Sequence, residues 1–140
     1  MEDKRYFLEL AYKGSKYHGW QIQANAHTVQ EEVNAALSVI LRKPIETMGS
    51  GRTDTGVHAR QQFLHFDFPE KLEKQNLLKR LNGIMPKDIA VRDLREVLPD
   101  THARFNAKWR KYEYHISLQK NPFEIELSWQ FFHKLDLKKM

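Results

Sequence analysis

A carboxylate and a guanidinium lie two positions apart in residues 51–59, which have the sequence Gly-Arg-Thr-Asp-Thr-Gly-Val-His-Ala. The carboxylate of Asp54 could serve as a nucleophile or as a base, and the guanidinium of Arg52 could pair with that carboxylate or with a phosphate. In an extended chain, residues two apart project to the same side. The two glycines allow a sharp turn, and the two threonines supply short hydroxyls that can tie the turn to itself. A polar loop with a solvated Arg-Asp pair is the alternative that local spacing leaves open.

Two predicted strands flank these nine residues, which we call the Asp54 loop. Residues 45–50 and residues 62–68 each have the length and apolar content of a short strand. Asp54 is therefore predicted to lie on a connection that a sheet holds at both ends. Binding and catalytic residues concentrate on connections of this kind. We expect the function of the chain to depend on this loop.

The remaining elements are predicted from periodicity. Alternation of apolar and polar residues over 6–12 predicts a strand. Thr28 with Glu31 forms a capping box for a helix that Pro44 ends. The apolar stripe of this helix comprises Val29, Val33, Ala36, Leu37, Ile40 and Leu41.

A second helix and a fourth strand complete the pattern. The helix is predicted over residues 70–82, with Leu77, Leu78 and Leu81 inward and Gly83 as its C-cap. The fourth strand is predicted over residues 89–97. The resulting β-α-β-β-α-β order is that of an α+β, ferredoxin-like (RRM-like) domain.

Residues 99–140 are predicted to begin a second α+β unit that does not finish. Alternation over 109–118 predicts a fifth strand, in which Tyr114 is expected to be a core residue. The predicted domains are therefore 1–98, carrying the Asp54 loop, and 99–140, a linker with the first elements of a truncated domain. We expect the chain to be the N-terminal fragment of a longer protein.

Composition sets broad limits on function. The net charge of +5, from 23 Lys and Arg against 18 Asp and Glu, permits binding to a polyanion without requiring it. The chain has no cysteine, which excludes disulfides and thiolate metal sites. The first residues carry mixed charges with no apolar stretch behind them, and no segment is long and apolar enough to span a bilayer. We expect a cytoplasmic protein with no membrane partner.

Five segments together resemble the tRNA pseudouridine synthase A family. The Asp54 loop matches the family's Gly-Arg-Thr-Asp-Ala-Gly-Val-His-Ala except that Thr55 replaces the alanine. The other four segments follow the family's order and cover residues 12–23, 28–30, 81–89 and 102–112. Among them are Tyr-Lys-Gly-Ser-Lys-Tyr-His-Gly-Trp-Gln-Ile-Gln and Leu-Asn-Gly-Ile-Met-Pro-Lys-Asp-Ile.

The resemblance implies isomerisation of uridine to pseudouridine in the anticodon arm of tRNA. It assigns catalysis to Asp54, an RNA role to Arg52 in the space left by the extruded base, and packing against the uracil to Tyr112. Whether Asp54 is the nucleophile or the base that removes the C2′ proton stays open. The reaction transfers no electrons and consumes no water, so we expect neither a redox cofactor nor a metal.

Other basic residues could form a track for RNA phosphates, although a solvated basic face is the alternative. They are Arg60, Arg104, Lys108, Arg110 and Lys111, with Lys16 as a further member. The separations of His18, His58 and His102 match no pattern of metal ligands. The resemblance also implies tRNA as partner and a homodimer in the complete protein.

A non-catalytic RNA-binding module of RRM-like fold is the alternative function. Such a module needs a Gly-Phe-x-Phe run on a central strand, and residues 61–68 contain aromatics without those glycines. The enzyme is therefore favoured. We expect the 140-residue chain alone to have little or no synthase activity.

Overall fold

A four-stranded antiparallel sheet with two helices is the main feature of residues 2–140, which the computed structural model describes. The elements in chain order are β1 (Lys4–Tyr12), α1 (Val29–Leu41), β2 (Met48–Gly49), β3 (Ala59–Phe68), α2 (Lys74–Ile84) and β4 (Ile89–Val97). They all lie in the first of two units, which ends at Lys108; the second unit is Trp109–Met140. The predicted α+β class is confirmed. Among residues 2–140, none of the helices has the length and apolar character to cross a membrane.

Strand β1 lies inside the sheet, whose order is β2-β3-β1-β4. Leu8 is opposite Leu64 on one side and Leu94 on the other. As the alternation predicted, even-numbered residues of β1 from Tyr6 to Tyr12 are buried, and they pack in one core with both helices. Because successive strand residues face opposite sides, the other face of the sheet is left for contacts outside this core.

Helix α1 begins and packs as the sequence predicted. The Thr28 hydroxyl accepts a hydrogen bond from the Glu31 N–H at 3.3 Å, and this satisfies one of the free donors of the first turn. Its predicted stripe is buried, apart from a half-buried Leu41. Arg42, in a left-handed conformation, ends the helix two residues before Pro44.

Helix α2 differs from the prediction at both ends. It begins at Lys74 rather than near residue 70, because the Glu73 carboxylate caps it by accepting the N–H groups of residues 75 and 76. Gly83 lies within the helix, so its assignment as C-cap was wrong. The helix ends at Ile84, and its C-cap, Met85, has the extended backbone that a following proline favours. The inward positions of its three leucines are confirmed.

In the second unit, the predicted strand over 109–118 was wrong. Only Ile116–Ser117 forms a strand (β5), and it pairs in parallel with Trp129–Gln130 (β6). Tyr114 is 90% exposed and is not a core residue. An alternating sequence makes a strand only where a neighbour pairs with its backbone, and within this unit only two residues of the segment have such a neighbour.

The second face of the main sheet is partly covered by residues 101–106. Buried His65 on β3 accepts the Ala103 N–H at 2.9 Å through Nδ1, and its ring lies edge-on to the His102 ring. Arg5 donates to both carboxylate oxygens of Asp67 at 2.8 and 2.9 Å and to the Thr101 carbonyl at 3.1 Å. These contacts hold the segment that carries Arg104.

Acid should destabilise this attachment through His65. Burial, with nearby Arg5 and His102, lowers the pKa of His65 to about 4, so between pH 6.5 and 4 the unfolded chain binds the extra proton. We expect the free energy of unfolding to fall over that window by at most about 3 kcal/mol. The Arg5 hydrogen bond lowers the pKa of Asp67, whose contribution is therefore lost only at still lower pH.

Urea unfolding at a series of pH values measures this effect. His65→Asn keeps an acceptor for the Ala103 N–H and removes the titrating ring, so its stability should vary less between pH 6.5 and 4 than that of the parent. Parallel pH profiles for the two proteins would contradict the assignment to His65.

Candidate functional site

The Asp54 loop contains a tight turn that begins at Asp54. The Val57 N–H donates to the Asp54 carbonyl at 3.1 Å. Gly56, the third residue of this turn, has a φ of 80°, a value that a residue with a side chain rarely adopts. The loop therefore has a fixed backbone at the residue that could do chemistry.

The last residue of β1 and two residues of the segment that follows it hold the loop. The Trp20 N–H donates to the Thr53 carbonyl at 3.3 Å, and the Gly56 N–H donates to the Tyr17 carbonyl at 3.2 Å. The hydroxyls of Tyr12 and Thr53 are 2.8 Å apart and share a hydrogen bond. Thr53 and Gly56, on either side of Asp54, are thus held by hydrogen bonds to buried residues.

The backbone of Gly19 makes close contact with this loop. Its φ is 79°, and a Cβ at this position would collide with the Thr53 carbonyl oxygen. Beside it, Trp20 is fully buried and stacks on Tyr12 at 6.3 Å between ring centroids. Trp20 therefore belongs to the core and also holds the loop through its backbone N–H.

One end of the loop is tied to β3 and the other to the segment that follows β1. The Gln62 side-chain amide donates to the Gly51 carbonyl at 2.9 Å. At the other end, His58 accepts the Gly14 N–H at 2.9 Å through Nδ1. This contact gives His58 a structural role.

Tyr17 connects the loop to the start of β4. Its hydroxyl donates to the Asp88 carboxylate at 2.6 Å. Burial, together with the negative charge and hydrogen bond of Asp88, raises the pKa of the Tyr17 hydroxyl well above its usual range. Tyr17 therefore stays protonated and serves as a donor.

The Asp54 and Arg52 side chains are both exposed. Within residues 2–140, no ion pair joins them, and the Asp54 carboxylate has no hydrogen-bond donor. Backbone contacts thus fix the loop while its carboxylate stays open to a ligand. Also within residues 2–140, no three His, Asp or Glu side chains are grouped so that they could hold a metal ion.

The other predicted site residues are distributed over both units. Arg60 lies at the start of β3, and Arg104 and Lys108 lie after β4 in the first unit. The second unit contains Arg110, Lys111 and Tyr112, and the Tyr112 side chain is 63% exposed. All of these side chains are exposed.

Sequence reasoning missed the residues that hold the loop. Tyr12 was treated as a strand residue and as part of a matching segment, and Tyr17 and Gly19 only as part of that segment. The spacing of aromatic and glycine residues over 12–20 was the available signal, because a glycine between aromatics in a long loop often marks a close backbone approach.

Comparison with known proteins identifies the family of the chain. A family model described as tRNA pseudouridine synthase matches residues 10–106, which include the Asp54 loop and every contact that holds it. The chain belongs to this family.

Curated relatives share its sequence at similar levels. The tRNA pseudouridine synthase A of Bacteroides thetaiotaomicron is 44% identical over 137 residues, which are 98% of this chain and 51% of that protein. The one from Azobacteroides pseudotrichonymphae is 52% identical over 122 residues, 87% of this chain and 49% of the relative. The one from Bacteroides fragilis is 45% identical over 141 residues, 100% of this chain and 56% of the relative. The chain spans about half the length of the curated relatives it matches.

Proposed function

We propose that this chain carries the catalytic loop of a tRNA pseudouridine synthase, which isomerises uridine to pseudouridine in the anticodon arm. The observation that carries the proposal is an exposed carboxylate, Asp54, on a loop whose backbone is fixed from both sides. Family membership supports the same chemistry.

Asp54 is proposed as the catalytic residue. In a glycosidase, one carboxyl group protonates the leaving group and a second brings in water or acts as nucleophile. In this isomerisation, the uracil is retained and rejoined to C1′ through C5, so one carboxylate suffices. Asp54 acts either as nucleophile or as the base at C2′.

Arg52 and Tyr112 are proposed to bind the substrate. A stacked uridine must leave its helix to be reached, at a cost of a few kcal/mol. Arg52 fills the space the base leaves, and the Tyr112 ring packs on the uracil, where stacking contributes about 1 to 3 kcal/mol. The exposure of both side chains leaves them accessible to RNA.

We also propose ferredoxin-like topology for residues 1–98 and a second domain that begins near residue 99. The β-α-β-β-α-β order and the antiparallel β2-β3-β1-β4 sheet support the first proposal. We further propose that the complete protein is a homodimer and that it lies in the cytoplasm, which suits an enzyme that modifies tRNA.

Release of tritium tests the reaction. Joining C5 to C1′ expels the C5 proton, so tRNA labelled at C5 of uridine should lose tritium when the full product of the gene is added. We expect little or no release by the 140-residue chain alone, because among residues 2–140 no side chain pairs with the Asp54 carboxylate to hold it in one geometry. Tight tRNA binding by the full product without any release would favour the non-catalytic RNA-binding module.

Three arginines should contribute to tRNA affinity through phosphates. Ala substitution of Arg52, Arg104 or Arg110 should weaken binding and reduce the slope of log affinity against log salt by about one unit. Arg80→Ala, on the exposed side of α2, is the matched control. If all three variants keep the parent's salt dependence, the arginines form only a solvated face.

A further inference from the structure

A basic groove lies at the end of the main sheet where the Asp54 loop enters β3. Its volume is about 660 Å³, within the range of about 300–1,000 Å³ typical of ligand sites. The cations that line it are Lys13, Arg60, Lys87 and Arg92. Only Arg60 among them was singled out from the sequence.

Antiparallel pairing explains why these cations meet. The last residue of β1, Tyr12, is opposite Ala59 at the start of β3 and Ile89 at the start of β4. Residues just beyond or just inside these three strand ends are therefore neighbours in space. The same Tyr12 hydroxyl contacts Thr53, so the groove adjoins the Asp54 loop.

A bulge in β3 turns Arg60 toward the groove. Leu10 is opposite Gln62 but Tyr12 is opposite Ala59, so β3 has one residue more than β1 over this stretch. Gln62 is buried and Ala59 packs against the core, whereas Arg60 is exposed and lines the groove. Bulges beside functional sites often redirect a side chain in this way.

Three of the four groove cations keep a positive charge that no ion pair among residues 2–140 neutralises. In the part of the chain that the structure describes, residues 2–140, neither Arg60, Lys87 nor Arg92 forms an ion pair. By contrast, Lys74 on α2 and Arg95 on β4, which do not line the groove, both pair with Asp93. The lining also contains the Asp88 carboxylate, which accepts a hydrogen bond from the Tyr17 hydroxyl and keeps its negative charge, so four cations and one anion line the groove.

Small residues keep the floor of the groove open. Ala11 on β1 is directly opposite Ala90 on β4, and both line the groove. Their neighbours Leu10 and Val91 are buried in the helix-covered core, so the two alanines lie on the other face of the sheet. Three unpaired cations around such a floor suit a chain of phosphates better than a neutral ligand.

We propose that this groove binds the sugar-phosphate backbone of tRNA beside the target uridine. The proposal rests on the proposed function, since it takes the Asp54 loop as the position of that uridine. Each phosphate neutralised by a groove cation releases counterions, which makes the binding depend on salt.

A pair of double variants tests the groove in the 140-residue chain. Lys87→Gln with Arg92→Gln should weaken binding of an unmodified tRNA transcript at least about fivefold near 0.1 M salt and reduce the salt slope by about 1.5 units. The control, Lys79→Gln with Arg80→Gln, removes the same charge from exposed positions of α2 and should leave the salt slope at the parent's value.

A third variant fills the groove without changing its charge. Ala90 is partly exposed and outside the core, so Ala90→Phe should preserve the circular dichroism spectrum while weakening tRNA binding. Equal effects of the two double variants, or no tRNA binding by the parent chain, would overturn the proposal. Polyglutamate binding as tightly as tRNA, with the same sensitivity to the variants, would also overturn it by indicating an acidic protein partner.

The tritium assay separates this proposal from the proposed function. If the full gene product releases tritium but the groove variants bind tRNA like the control, the groove assignment fails alone. If no tritium is released while the groove variants lose binding, the synthase assignment fails and the groove stands as an RNA-binding site.

Discussion

Asp54→Asn should abolish tritium release by the full gene product while leaving tRNA affinity within about twofold of the parent's. Asparagine keeps the size and polarity of the side chain but can act neither as nucleophile nor as base. A positioned acid-base group contributes about 10²- to 10⁴-fold, so the single-turnover rate should fall at least about 10²-fold. The exposed side chain makes no contact with the core, so the fold should be preserved.

Asp100→Asn provides the matched control for this experiment. Asp100 is an exposed aspartate outside the Asp54 loop, and its replacement makes the same change in charge. Its turnover should equal the parent's. Substantial tritium release by Asp54→Asn would remove Asp54 from the catalytic role and direct attention to another group at the loop.

Gly19→Ala should cause the second large loss. The new Cβ would meet the Thr53 carbonyl oxygen, and φ at this position is 79°, where residues other than glycine are strained by about 1–2 kcal/mol. The Asp54 loop must then move away from the segment that holds it. Since a misplacement of about 1 Å can cost about 10²-fold in rate, we expect turnover to fall far more than stability does.

Gly83→Ala is the opposite case. Gly83 lies within α2, and a Cβ there meets no atom within 4 Å. Alanine is favoured over glycine inside a helix by about 0.5–1 kcal/mol, so this variant should be more stable and equally active. Single-turnover rates and urea unfolding of both variants measure the contrast. An active Gly19→Ala protein would show that the close approach does not position the loop.

Strands β1 and β4 and helix α1 could be predicted because local and long-range preferences agree there, whereas the strand predicted over residues 45–50 forms only at Met48–Gly49. Alternation over β1 buries the residues it predicted to bury, and Thr28 caps α1 as its side chain favours. Gly83 shows where local preference was misleading: glycine often follows a helix, but Pro86 determines the end of α2 by constraining Met85.

The second unit could not be predicted in this way. A strand over 109–118 depends on a partner whose identity an alternating pattern does not contain, and the described pairing reaches only Ile116 and Ser117. Tyr114 was predicted to be buried on the strength of that strand, and it is exposed without it.

The sequence predicted which residues form the site but not which contacts hold its loop in place. Asp54 and Arg52 stand out because an acid and a base share a short loop between strands. Tyr12 holds that loop through the Tyr12–Thr53 hydroxyl contact, which spans 41 residues. Tyr17 holds it through its carbonyl and is itself anchored by Asp88, 71 residues away, and no local pattern encodes such pairs.

Nucleoside analysis of tRNA tests the central claim most directly. Unmodified tRNA is incubated with the full gene product, digested to nucleosides, and separated by chromatography with mass detection. Isomerisation predicts a new nucleoside of the same mass as uridine, formed at the expense of uridine and missing from the Asp54→Asn reaction. Uridine unchanged in the parent reaction, or a product of altered mass, would contradict the account.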